Sequence, residues 1–124
     1  LINLIEADIN YLFIPKGTDF KFDEYVLENN TTLINETQKK NIINYPLEDP
    51  LSTYIDLKDL VLSLSSFSCP LLAPLGPKMF AAICVIISKE FDEKIPVWRV
   101  SSELTEKPME REASGNILSL SIKI

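Results

Sequence analysis

The chain has 124 residues, of which 46% are hydrophobic and 24% charged, enough for one ordinary domain and incompatible with wholesale disorder. Its formal net charge of −6 argues against broad, sequence-independent nucleic-acid binding, an affinity that comes largely from Lys and Arg neutralising phosphates. There is no histidine, so a Cys/His zinc site and any histidine-based catalytic triad are excluded within the chain.

In chain order, the first element expected is a short buried strand over residues 11–14, ended by Pro15 and Gly17. Thr18 or Asp19 then caps a helix running to about Asn29, with Phe22, Tyr25 and Val26 on its apolar face. Residues 30–44 give little signal: Gln38, Lys39 and Lys40 read as solvated, and residues 42–45 as a short strand or the tail of a helix. Asp49-Pro50 places a capping carboxylate before a proline at the first helical position, where the missing N–H costs nothing. The helix it opens carries Leu51, Tyr54, Leu57, Val61 and Leu64 on one stripe, and the serines at 65, 66 and 68 end it.

Residues 70–73 form the second strand expected, and Pro77 opens a helix to about Glu90. That helix is apolar nearly all round between Met79 and Ile87, which predicts burial over most of its circumference. Asp92, Glu93 and Lys94 make an exposed turn before a third strand over residues 96–101. A polar stretch holding Glu103, Glu106, Glu110 and Glu112 reads as solvated loop, and an apolar alternation over residues 117–124 as a closing strand that can run antiparallel. Strand, helix and strand in this order predict parallel pairing through a crossover. The fold class expected is a single α/β domain, a three-layer Rossmann-like sheet that is mostly parallel. The start at Leu1 and the end inside an apolar alternation suggest a piece of a longer protein.

Two of the three glycines stand in the same setting, an apolar run that breaks at Pro-x-Gly and restarts as a helix: Pro15-Lys16-Gly17 and Pro74-Leu75-Gly76. A strand entering a helix through such a turn presents backbone N–H groups at the positive end of the helix dipole, and open α/β sheets collect ligands at the carboxyl ends of their strands. The turns are therefore expected to share one rim and to bind an anionic small molecule. Gly76 permits close backbone approach, Pro77 fixes the helix entry and Lys78 adds a full positive charge. Gly17, Thr18 and Asp19 form the companion turn, Thr18 offering a hydroxyl and Asp19 either an acceptor for a ribose or a helix cap. Arg99 and Ser101 follow the third strand on the same expected edge, while Trp98 reads as core. The Walker A and dinucleotide fingerprints are both absent.

No serine has a base at catalytic spacing, so the chain is read as non-enzymatic, with no cofactor and no metal site. Cys84, inside an apolar helix, is expected to be an inert buried thiol. Two cysteines without metal spacing fit a reduced, cytoplasmic protein, and no apolar stretch reaches the length of a bilayer span. The sequons at Asn29, Asn30 and Asn35 would matter only in a secreted protein.

Across residues 71–79, the helix beginning through Ala81 and Ala82, and the stretch 96–100, the chain resembles the Rossmann-like ligand-sensing domains of prokaryotic defence systems known as the CARF-like group. Members often carry a strand, a Gly-Thr-Lys turn and a helix starting with Met or a small residue. Pro77 stands here where that pattern has Thr, so the hydroxyl contact is missing. The resemblance implies nucleotide binding at Lys78 and the backbone around Gly76, with the signal passed to an effector domain elsewhere. Two other readings stay open: a Rossmann-like fragment of a nucleotide-using enzyme, and an interaction or scaffolding domain that pairs with a second copy or another protein.

Overall fold

A computed structural model describes residues 8–98 together with Ser119 and Ser121. Within them the chain is a mixed α/β protein with a two-stranded parallel sheet and four α-helices. It divides into two compact units, residues 1–47 and residues 48–124.

The first unit is built on β1 (Leu12–Lys16) and β2 (Ile42–Pro46), paired in parallel with Leu12 opposite Ile42 and Lys16 opposite Pro46. Residues 42–45, open between strand and helix tail in the sequence, are therefore strand. β1 also runs beyond the expected boundary, through Pro15. The ladder explains how: the Lys16 carbonyl accepts from Leu47 N at 2.9 Å, and in a parallel pair alternate residues of each strand make the cross-strand bonds. Pro15 and Pro46 both fall on the intervening positions, whose N–H would point away from the partner strand, so neither removes a rung. Ile14 and Tyr45 are buried on opposite faces of the pair, as parallel strands require, and the Phe13 and Tyr45 rings meet with centroids 6.5 Å apart.

Parallel strands need a long crossover, and here it contains α1 (Phe20–Asn29), α2 (Thr31–Glu36) and a 3-10 turn (Lys39–Asn41). Asp19 rather than Thr18 caps α1, its carboxylate accepting from Lys21 N at 2.9 Å. The end of α1 is closed from the side chains: Asn29 and Asn30 amides donate to the Tyr25 and Val26 carbonyls at 2.8 Å, and the Thr31 hydroxyl donates to the Leu27 and Glu28 carbonyls. Of these acceptors, the Val26, Leu27 and Glu28 carbonyls are among the last four that a helix end leaves orphaned, and the chain restarts at once as α2.

The second unit opens with α3 (Pro50–Ser65), capped by Asp49, whose carboxylate accepts from Ser52 N at 3.1 Å. The cap falls where the sequence placed it, but the buried stripe is rotated. Pro50, Thr53, Leu57 and Val61 are buried, whereas Leu51 is 55% exposed. Thr53 joins the core at little cost because its hydroxyl donates to the Asp49 carbonyl at 3.2 Å. Ser63, Ser65, Ser66 and Ser68 then donate to carbonyls of the last turns and end the helix.

The last helix, α4 (Lys78–Glu90), buries Ile83, Cys84 and Ile87. Between Met79 and Ile87 the residues are buried or half-buried except on one stripe, where Val85 is 50% exposed and Ala82 also faces out. Its end is a Schellman turn, in which Glu93 N donates to the Ser88 carbonyl at 2.8 Å and Asp92 N to the Lys89 carbonyl at 3.2 Å. Asp92 and Glu93 both take positive φ to make it. The Ser88 hydroxyl then ties to the Ile95 carbonyl, seating buried Ile95 and leading to Val97.

Leu72 and Val97 flank α4 and form a parallel bridge, with Leu72 N donating to the Pro96 carbonyl at 2.9 Å and Trp98 N to the Leu72 carbonyl at 2.8 Å. The strand expected over 70–73 is reduced to this single rung. The next residues in line to donate across the ladder are 70 and 74, and both are proline. Trp98 is 48% exposed rather than core. Arg99, Ser101, the acidic stretch beyond them and nearly all of the expected closing strand lie outside the described residues.

Candidate functional site

The two Pro-x-Gly turns belong to different units, Gly17, Thr18 and Asp19 to the first and Gly76, Pro77 and Lys78 to the second. In the first turn the amides are already answered. Gly17 N donates to Asp23 Oδ1 at 2.9 Å, Lys21 N to Asp19 Oδ1 at 2.9 Å, and Phe22 N and Asp23 N to the Asp19 carbonyl. Two carboxylates thus neutralise the positive end of α1. Gly17 itself is a packing requirement, because a Cβ there would lie 3.2 Å from Phe22 Cδ1 and 3.6 Å from Leu47 Cδ1.

The second turn is open. Pro77 occupies the cap position of α4 with no side-chain hydrogen bond, and no acidic residue stands in the first turn. A Cβ on Gly76 would meet nothing within 4 Å. Lys78, the first helical residue, is exposed and forms no ion pair among the described residues. The turn follows the Leu72 rung, so it lies beyond the carboxyl end of that short strand. A helix start with no carboxylate in its first turn and an added ammonium group is chemically suited to a phosphate or carboxylate.

One cluster escaped the sequence reading. The Tyr54 hydroxyl donates to Glu90 Oε1, Lys58 Nζ lies 2.5 Å from Glu90 Oε2, and Lys58 Nζ donates to the Tyr54 oxygen at 3.3 Å. Tyr54 and Lys58 sit one helical turn apart on α3, a legible spacing, but nothing local marks Glu90 at the end of α4 as their partner. The Glu90 hydrogen bond comes first in raising the tyrosine pKa above its ordinary 10.0, and burial adds to it. Lys58, followed by Tyr54, holds the Glu90 carboxyl below its usual range, while Glu90 and then Tyr54 raise the Lys58 ammonium. A tyrosine held protonated in this way is a poor general base. The three residues act as a strut between α3 and α4.

Cys84 is fully buried, and burial pushes its thiol up to about 12, so it carries no thiolate at neutral pH. Cys69 is exposed and free beside a cleft of about 300 Å³ between Ser65, Pro70, Phe91 and Ile95. A larger half-open cleft of about 510 Å³ lies in the first unit, lined by Asp8, Asn10, Tyr11, Glu36, Gln38 and Asn41 among others, toward the amino ends of β1 and β2. Among the described residues no cluster of three His, Cys, Asp or Glu side chains could hold a metal ion, and no helix is long and apolar enough to cross a membrane.

The fold and these sites define the class no more narrowly than a mixed α/β protein with parallel strand pairing. No family model, curated protein or solved structure matches the chain.

Proposed function

We propose that the chain is a non-enzymatic regulatory module that binds an anionic, nucleotide-like small molecule, with Gly76, Pro77 and Lys78 at the centre of its site. One observation carries the reading: α4 starts on Pro77, which makes no side-chain hydrogen bond, has no carboxylate in its first turn, and presents Lys78 near a glycine that faces open space. The parallel crossover from β1 to β2 in the first unit, and the single parallel rung between Leu72 and Val97 on either side of α4 in sequence, support a Rossmann-like architecture as the frame. Arg99 and Ser101, which follow Val97 in sequence, are proposed as further contacts. At Gly17, Thr18 and Asp19 the carboxylates of Asp19 and Asp23 already take the Gly17 and Lys21 amides, so the proposal rests on the second turn.

The test is calorimetric titration of the full chain with ATP, AMP and inorganic pyrophosphate, paired with melting curves. At least one of these anions should bind the wild type and raise its melting temperature, since a ligand that binds only the folded state must stabilise it. Lys78→Ala should weaken that binding about 10- to 100-fold, the scale of one lost charge-assisted hydrogen bond, with no loss of fold. Binding of none of the three, or equal affinity in the variant, overturns the proposal.

A second reading, a protein-interaction module, draws on Leu51, Ile55 and Leu62, which lie exposed along one side of α3. Light scattering separates the two. A concentration-dependent mass without a ligand-induced melting shift selects the interaction module, and a monomer with the shift selects the sensor.

A further inference from the structure

No further inference is drawn: the strongest candidate, the half-open cleft that Asp8, Asn10, Tyr11, Glu36, Gln38 and Asn41 line toward the amino ends of β1 and β2, gathers mainly exposed polar side chains around the buried Asn41, and nothing in the structure shows what occupies or covers it.

Discussion

The turns at Gly17 and Gly76 are written alike, a proline, one residue and a glycine before a helix, yet they are chemical opposites. After Gly17 come Asp19 and Asp23, and both carboxylates fold back onto the amides of the turn. After Gly76 come Pro77 and Lys78, and the helix starts on a proline that makes no side-chain hydrogen bond, with a cation beside it. The glycines differ too: the first is held against Phe22 and Leu47, while the second touches nothing that a methyl group would disturb. What such a turn can bind is therefore decided by the residues of the following helical turn. The glycine alone does not decide it.

The largest expected effect concerns the frame that holds the open turn. Ile87 is fully buried in α4, and Ile87→Ala should cost about 2–5 kcal/mol in urea unfolding, the range for truncating a packed aliphatic side chain. A cost under about 1 kcal/mol would mean that α4 is not packed as described. Next comes the closed turn: Asp19→Ala should cost about 1 kcal/mol, because it removes the cap of α1. If Asp19→Ala leaves stability unchanged, the carboxylate is not serving the helix and the contrast between the turns weakens.

Glycine substitutions sharpen the same contrast on a smaller scale. Gly76→Ala should gain about 0.4–1 kcal/mol, because it restricts the unfolded chain without meeting an obstacle. Gly17→Ala should show no such gain, since Phe22 must first move aside. Equal gains at both sites would remove the packing distinction.

Smallest is the strut between α3 and α4. Glu90→Gln should lose about 0.5 kcal/mol near neutral pH, the scale of a partly exposed ion pair. The folded-state pKa of Glu90 lies below its ordinary value of 4.5, so the contribution is present above that value and fades as pH falls through the lowered one. Wild type and variant should therefore converge in acid. A difference that persists at acid pH would assign the effect to packing.

The elements read most directly from the sequence were those with local chemistry. Asp49-Pro50 and Asp19 announce helix starts because a carboxylate one residue before a helix has one obvious task. The crossover of the first unit was opaque for the opposite reason. α2 spans only six residues, too few for a periodic face, and the boundary before it is set by Asn29, Asn30 and Thr31 bonding back to α1. In α4 composition pointed to burial on most sides but did not mark the one stripe, Ala82 and Val85, that a nearly all-apolar helix still leaves in solvent. Pattern reports what a surface prefers, and only packing decides what covers it. Of the candidate site, the residues of both turns were legible, but their difference needed the hydrogen bonds of Gly17 and Lys21. Glu90 joins its partners only through the packing of two distant segments.

The two prolines in the sheet have an effect beyond their own strands. Pro15 and Pro46 point their nitrogens outward, one on each side of the β1–β2 pair, and neither can donate. An incoming extended peptide that tried to zip onto either flank would find a rung missing near the carboxyl end. Among the described residues the ribbon thus resists unplanned strand addition on both borders, with the charged Lys16 standing beside Pro15 on one of them.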